Sequence, residues 1–382
     1  MLISEKRVPE LDGLRATAIL MVVAWHYLGM PDGSQSIAGR FFVLGRGGVD
    51  LFFALSGYLI TRILLEHKDS PNYFSTFYGR RSVRILPIYG VLVGAWLITK
   101  IGRMNAGDLP WWSYVLGIQN FWMVIQQTYG ASSLSGTWSV AVEEQFYLIF
   151  PLIVRYAQPA ALPRLLAALI VLCPIARIIS YSLGDQYGYY VLMPLRADIL
   201  AAGAFVAWLQ TSGSINAQVE KAYQSVFYGA VFLFPVFLIM IGRNTNFHMA
   251  YWGHTYLVAL FGSTVSMVVR YQGSRQLALL RTPAAAFFAR ISYALYLIHM
   301  DVYGAIFGAF GAPRTIATPQ GVAVTALAFL VSIGVCAASY RYFEKPLIKI
   351  GHRKFNYLTR STKPDQTTKP DQSVIDPLLL RS

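Results

Sequence analysis

The chain has 382 residues, of which 55% are hydrophobic and only 13% charged, and its mean hydropathy is +0.46. Soluble domains of this length carry about a quarter charged residues, because their surfaces must be hydrated, so this composition excludes an ordinary soluble protein and predicts an integral membrane protein. The formal charge of +14 does not indicate a nucleic-acid partner, because the basic residues cluster at the ends of apolar runs, as in proteins oriented by the positive-inside rule.

Eleven apolar runs have roughly the length that crosses about 30 Å of hydrocarbon. They lie at 12–30, 48–66, 85–102, 111–128, 138–157, 163–183, 191–211, 222–242, 251–271, 284–310 and 318–340. The first is expected to be a retained helix, because Arg15 interrupts it and no clear small-residue cleavage site follows. Cys173 and Cys336 lie inside such runs, so neither a disulfide framework nor a cysteine metal cluster is expected.

Basic segments predict which ends of these runs face the cytoplasm. The segments are 6–7, 67–84, 270–281 and 341–354. Eleven crossings would separate the termini, which both belong inside, so one run does not cross. Counting from both ends, the run at 111–128 begins and ends outside. Its composition suits an interface or a re-entrant segment, with Trp111, Trp112, Gln119, Asn120, Trp122, Gln126 and Gln127.

The fold class predicted is therefore all-α, a polytopic transmembrane helix bundle with about ten crossings plus one re-entrant or interfacial segment. The alternative is a short eleventh crossing with a misassigned end. One transmembrane domain is expected over 1–351. A disordered polar cytoplasmic tail is expected over 352–382, where TKPDQ at 362–366 recurs at 368–372.

Two ionisable residues share the first helix. Arg15 and His26 are eleven positions apart, which brings them to within roughly 20° of one face and about 16 Å apart along the axis. Arg15 is expected near the cytoplasmic end and His26 in the outer half. Charged groups inside a membrane helix are functional candidates, although Arg15 alone could simply snorkel to the interface.

A cationic face is predicted at the start of the third run. Arg80 and Arg81 precede Arg84 by four and three residues, so the three share one side of a helix. Guanidinium groups bind phosphate through two parallel hydrogen bonds, which favours a phosphate site. The alternative is a basic segment that only determines topology.

Titratable groups on three runs are expected at one depth in the outer part of the bilayer. Glu143 and Glu144 lie five or six residues into their run, at the depth estimated for His26, and His299 reaches the same level. A histidine beside a carboxylate is the usual equipment of general-base catalysis. The alternative is a structural hydrogen-bonded network between helices.

Further polar or aromatic residues in these runs are expected to bind substrate or to support the structure: Asp50, Trp138, Ser139, Tyr147, Arg196 and Asp198. Arg196 and Asp198 are expected to pair with other helices. Glycines 45, 47, 48 and 57 are expected to permit close helix approach.

Seven stretches together resemble the acyltransferase 3 family of membrane O-acyltransferases, whose members acylate bacterial surface polysaccharides, lipopolysaccharide O-antigen, nodulation factors and some antibiotics. They run in the family's order from residue 11 to 346: LDGLRATAILMVVAWH, GGVDLFFALSGYLIT, FYGRRSVRILPIY, TWSVAVEEQFYLIFP, LRADILAAGA, ISYALYLIH and YRYFEKP. The resemblance implies about ten transmembrane helices in the bacterial inner membrane and a functional role for Arg15, His26, Arg81, Arg84 and the Glu143 region.

The resemblance also implies an acyl-CoA donor, expected to be acetyl-CoA, approaching from the cytoplasm as a substrate and not as a permanently bound cofactor. The acceptor is expected to be a hydroxyl of an extracytoplasmic glycan, glycolipid or similar molecule. Some relatives carry a C-terminal extracytoplasmic esterase-like domain where this sequence has a short tail, which leaves room for a partner protein that completes the transfer.

These observations combine into one expected mechanism. Arg15, Arg81 and Arg84 hold the phosphates of CoA, and His26, oriented by Glu143 or Glu144, acts as general base. Charged residues in membrane helices would also suit a secondary transporter or a glycan-export component without acyl transfer, although no paired halves with matching broken helices are found.

Overall fold

The computed structural model describes residues 8–30, 42–100, 108–241 and 245–358, and the regular secondary structure in these ranges is entirely helical. The predicted all-α polytopic bundle is confirmed. The helices are α1 (Pro9–Ala24), α2 (Gly48–Glu66), α3 (Tyr73–Lys100), α4 (Trp111–Val115), α5 (Gln119–Ile125), α6 (Trp138–Tyr156), α7 (Ala161–Ser182), α8 (Gly188–Val191), α9 (Met193–Thr211), α10 (Ala217–Ile241), α11 (Thr245–His248), α12 (His254–Arg270), α13 (Pro283–Phe310), α14 (Pro319–Ser339) and α15 (Lys345–Lys354).

Ten of the helices in these ranges are long, and they alternate in direction along the chain: α1, α2, α3, α6, α7, α9, α10, α12, α13 and α14. Hydrogen bonds between the segments that connect these helices show which helix ends lie together. Glu10 at the start of α1 accepts hydrogen bonds from Gly273 and Arg281 before α13. Asn72, between α2 and α3, donates to the carbonyl of Asn356 near the C-terminal end of the described chain. We call this end of the bundle the basic end and the opposite one the far end.

Eight helical segments are long and apolar enough to cross a membrane: Leu44–Glu66, Tyr73–Lys100, Ala161–Ser182, Gly188–Thr211, Ala217–Ile241, Asn246–Arg270, Pro283–Phe310 and Pro319–Lys354. The two other long helices, α1 and α6, carry Arg15 and Glu143. Most predicted runs coincide with these helices to within a few residues. The third helix is the exception, because it begins at Tyr73 instead of near residue 85 and so includes the whole arginine segment.

The run at 111–128 forms two short helices at the far end. α4 has 5 residues and α5 has 7, so at 1.5 Å per residue neither exceeds roughly 11 Å, well short of a bilayer crossing. Gln119 donates to the carbonyl of Thr137 at 2.9 Å, and Asn120 and Gln145 exchange hydrogen bonds. These bonds attach the segment to the start of α6. Backbone that does not form a spanning helix is tolerated at membrane depth only where it packs against protein in this way.

The predicted start of the tail at residue 352 differs from the structure, because that position lies inside α15. After α15 the chain packs back on the basic end. Phe355 lies against Gly79, and Leu358 donates its amide to Asn72 at 2.9 Å. Specific side-chain contacts, which composition does not reveal, order this stretch. The predicted disorder over 359–382 lies outside the described residues.

Close approach between α2 and α9 depends on two glycines. A Cβ added at Gly203 would lie 1.9 Å from the carbonyl oxygen of Ala54, and one added at Gly57 would lie 2.0 Å from that of Leu200. Backbones this near one another leave no space for a methyl group, in the manner of small-residue contacts between membrane helices. The predicted role of Gly57 is thus seen in the structure, with Gly203 as its counterpart.

We predict that Gly203→Ala destabilises the bundle, because the added methyl group must push α9 away from α2. Overpacking of this kind typically costs about 1–3 kcal/mol. The measurement is the thermal unfolding midpoint of the detergent-purified protein. Gly229→Ala in α10 is the matched control, since a Cβ there meets nothing within 4 Å. Equal midpoints for the two variants would contradict the packing account.

Candidate active site

A large cavity opens at the basic end, and most of the charged side chains that line it are arginines. It has a volume of about 520 Å³, and we call it the mouth cavity. Its arginine, histidine and carboxylate lining residues are Asp12, Arg15, Arg62, Glu66, Arg80, Arg81, Arg84, Arg290, Glu344 and His352. Arginines outnumber carboxylates here, so the mouth cavity suits an anionic ligand.

Some of these cations already have partners. Arg15 lies 3.4 Å from Asp12, and Arg62 lies 2.7 Å from Glu66. Arg80 donates to the carbonyl of Phe355 at 2.7 Å, so it anchors the segment after α15. The three arginines of the predicted cationic face all line the mouth cavity, but Arg80 also holds the segment after α15 in place.

Arg81 and Arg84 are the cations of the α3 segment that lack a counter-ion. Among the described residues neither forms an ion pair with a carboxylate, although both line the mouth cavity. The Arg81 guanidinium instead lies over the rings of Phe77 and Tyr147, at 5.9 and 5.6 Å from their centroids. Unpaired guanidinium groups at a cavity wall are a ready site for phosphate.

The mouth cavity continues into a narrower one of about 90 Å³, the central cavity, which Arg15, Arg81 and Arg84 also line. Glu143 projects into it from α6. Its two carboxylate oxygens accept hydrogen bonds from Ser56 at 2.6 Å and from Tyr147 at 3.3 Å. The predicted site residues Arg15, Arg81, Arg84, Glu143 and Tyr147 are thus brought together around one cavity.

A pair of hydroxyl groups lines the central cavity where it nears the far end of the bundle. The Ser139 and Tyr296 oxygens lie 2.5 Å apart, and both approach the carbonyl oxygen of Gly136. Trp138 packs beside this pair against Phe53 and Tyr190. We call Ser139 and Tyr296 the hydroxyl pair.

A third cavity, of about 480 Å³, opens at the far end. Its polar and titratable lining residues are His26, Ser132, Ser133, Asp301, Tyr303 and Arg314. Among the described residues, none lines both this far cavity and either of the other two. Arg15 and His26, predicted along a single stripe, therefore line different cavities.

His26 contacts another histidine and neither glutamate. Its Nδ1 lies 2.9 Å from the Val22 carbonyl oxygen and 3.1 Å from Nε2 of His299. The expectation that Glu143 or Glu144 orients His26 was wrong. The physical reason is local, because α1 continues as a π turn over Trp25–Gly29, whose wider winding departs from the 100° spacing of an α-helix.

The sequence comparisons agree with this architecture. A family model described as an acyltransferase domain matches residues 8–341. The chain belongs to the acyltransferase 3 family. O-acetyltransferase OatA of Staphylococcus aureus strain NCTC 8325 / PS 47 is 24% identical over 386 residues, covering 94% of this chain and 60% of that protein. OatA of strain MRSA252 gives the same values. This chain thus spans about 60% of the length of these relatives. No solved structure matches.

A second group of buried ionisable residues lies away from the cavities, and its members contact one another. Arg196 bonds to Asp50 at 2.6 Å and also contacts His254. Arg177 bonds to Asp198 at 2.8 Å. All five side chains are almost completely buried, so these contacts tie α2, α7, α9 and α12 together. Asp50, Arg196 and Asp198 are therefore placed in a structural network.

Sequence reasoning missed several residues that the structure brings into the site or the network. Arg177 and His254 could have been found, because each is an ionisable group inside an apolar run. Tyr296 gives no such signal among the many tyrosines of the chain. Asp301 could have been found in the same way as Arg177 and His254, because it lies in the run 284–310. Arg314 belongs to the far cavity only through the path of the chain after α13, which a hydropathy pattern does not specify.

We predict that Arg196→Met destabilises the protein strongly, because it leaves the Asp50 carboxylate buried without its arginine partner. Breaking one side of a buried pair typically costs about 3–5 kcal/mol, whereas replacing both partners is often close to neutral. The double variant Arg196→Met, Asp50→Leu should therefore recover much of the loss. The measurement is the unfolding midpoint of each purified protein. Additive effects of the two substitutions would contradict the network account.

Proposed function

We propose that this acyltransferase transfers an acyl group, in the first place acetyl, from acyl-CoA at the basic end to a hydroxyl of a carbohydrate or glycolipid at the far end. The observation that supports it most is that Arg81 and Arg84, which have no carboxylate partner among the described residues, line both the mouth cavity and the central cavity. The name of the OatA relatives favours O-acetyl transfer.

The basic end is proposed to face the cytoplasm, because it collects the lysines and arginines that determine orientation. Acyl-CoA is made in the cytoplasm, so its nucleotide would enter the mouth cavity. There Arg81, Arg84 and Arg15 would bind its phosphates through charge-assisted hydrogen bonds. The pantetheine arm would follow the central cavity past Glu143 and place the thioester at the hydroxyl pair.

The acceptor would enter the far cavity, which His26 lines together with serine hydroxyls and the charged groups Asp301 and Arg314. Hydroxyl, carboxylate and guanidinium groups suit the many hydroxyls of a carbohydrate. In the transfer step His26 takes the acceptor's proton, the alkoxide attacks the thioester carbonyl, and the C–S bond breaks to release CoA thiolate. The proton then passes to the thiolate, which balances the reaction.

The hydroxyl pair lies between donor and base in this scheme. Ser139 and Tyr296 would separate to let the thioester meet the acceptor, and their O–H groups are then free to donate to the oxyanion that forms on the carbonyl. Glu143 has a different role from the one expected from the sequence. Through Tyr147, over which Arg81 lies, its carboxylate holds the wall of the donor route in place.

We predict that His26→Ala and Arg81→Ala fail in different ways. His26→Ala should bind CoA normally and lose about 10²–10⁴-fold in transfer rate, the usual contribution of a general base. Arg81→Ala should chiefly weaken CoA binding, by about 10–100-fold, because one hydrogen bond between charged groups is worth about 1.5–3 kcal/mol. The measurements are CoA binding to each purified variant by calorimetry, and incorporation of labelled acetyl groups into membranes from cells that lack the chromosomal gene and express the variant.

Arg164→Ala is the control, since Arg164 is an arginine near the start of α7 that does not line the cavities described above. It should leave both readings unchanged. Wild-type turnover of purified His26→Ala would contradict the proposed chemistry. In cells, mass spectrometry of surface glycans with and without the gene should show an added acetyl mass that His26→Ala abolishes. Flux of a solute into proteoliposomes without consumption of acetyl-CoA would instead support transport.

A further inference from the structure

The hydrogen bonds of His299 determine which of its nitrogens carries a proton. Its Nδ1 lies 2.8 Å from the carbonyl oxygen of Leu295 and 2.9 Å from that of Tyr296. Carbonyl oxygens only accept hydrogen bonds, so Nδ1 must be the protonated nitrogen of this ring. In the neutral ring Nε2 is then an acceptor with a free lone pair.

The same reasoning applies to His26. Its Nδ1 lies between two acceptors, the Val22 carbonyl oxygen at 2.9 Å and the Nε2 lone pair of His299 at 3.1 Å. That nitrogen must therefore carry the proton and donate to both. The proton-free nitrogen of His26 is Nε2, which is the nitrogen that a general base needs for accepting a proton from a substrate hydroxyl.

The surroundings of His299 hold its ring in this orientation. The side chain is only 3% exposed and packs beside the ring of Tyr27, with 6.2 Å between ring centroids. Tyr27 donates to the backbone carbonyl of His299 at 2.7 Å and also contacts Ser332 on α14. Three helices, α1 with its π turn, α13 and α14, thus fix the histidine that meets His26.

We propose, building on the function proposed above, that His299 is the positioning residue of His26. It accepts the His26 Nδ1 proton in a hydrogen bond and keeps Nε2 free. When Nε2 takes the acceptor's proton, the resulting imidazolium still donates through Nδ1, and a bond from a charged donor to His299 is stronger than one from a neutral donor. The imidazolium returns its Nε2 proton to the CoA thiolate, so His299 changes no protonation state.

A neutral hydrogen-bond acceptor for His26 has a physical advantage over a charged one inside a membrane bundle. In the serine-hydrolase triad a carboxylate plays the corresponding part, stabilising the charged histidine. A carboxylate here would be a permanent charge in a low-dielectric layer, which is costly unless it is fully paired. An imidazole acceptor supplies the hydrogen bond without that charge.

Three substitutions of His299 test the proposal. His299→Gln can place its side-chain oxygen near the Nε2 position and should accept from His26, whereas the shorter His299→Asn reaches only the Nδ1 position. His299→Leu removes the acceptor. We expect kcat to fall about 10–100-fold in the Leu and Asn variants, as for loss of one hydrogen bond to a charged group, with the KM for acetyl-CoA unchanged and most of the rate kept in the Gln variant.

The measurement is incorporation of acetyl from labelled acetyl-CoA into membranes of cells that lack the gene, at equal amounts of folded enzyme. If the Leu variant does not fold, the comparison of Gln with Asn decides. Equal rates in Gln and Asn, or a wild-type kcat in Leu, would overturn the positioning role. The proposed function stands or falls separately, since an inactive His26→Ala beside a fully active His299→Leu would remove only the role of His299.

Discussion

Hydrocarbon provides no hydrogen-bond partner and little solvation for charge, so every polar side chain within this bundle must either meet a partner or line a cavity that water and ligands can reach. Two sets of charged residues meet that constraint in different ways. Arg177, Arg196, Asp50 and Asp198 are buried and form ion pairs with one another. Among the described residues, Arg81 and Arg84 have no carboxylate partner, and both line the mouth and central cavities. The distinction between the two sets separates residues that stabilise the fold from residues available to a substrate.

The same constraint bears on the separation of the polar residues into a central cavity and a far cavity. Arg15 and Glu143 line the central cavity, His26 lines the far cavity, and none of the described residues lines both cavities. A continuous water-filled shaft would expose an activated thioester to hydrolysis, whereas in the proposed function the hydrogen-bonded Ser139 and Tyr296 separate the donor route from the acceptor side. Excluding water from the reacting groups is a general requirement of acyl transfer. In the proposed function, the two ends of the bundle would then bind chemically different substrates, an anionic nucleotide and a polyhydroxyl acceptor.

The sequence predicted the helices well, because apolar runs of bilayer length leave few alternatives. It also predicted that the run at 111–128 does not cross the membrane, both from the side of the membrane assigned to each connection and from residues such as Trp111 and Gln119. The sequence did not predict which side chains on neighbouring helices contact one another. The π turn changes the direction in which His26 points, and its partner His299 lies 273 positions away on α13, so a shared depth with Glu143 did not mean contact. Arg80 shows the same limit, since its partner Phe355 lies in a stretch whose composition predicted disorder.

In the proposed function, donor and acceptor approach the protein from opposite ends of the bundle. The most direct measurement uses sealed membrane vesicles of both orientations from cells that express the protein, with labelled acetyl-CoA supplied only outside. Vesicles that expose the basic end should incorporate acetyl into acceptors protected within the lumen, and vesicles that expose the far end should not. Equal incorporation in both orientations, with the vesicles shown to be sealed, would contradict the account.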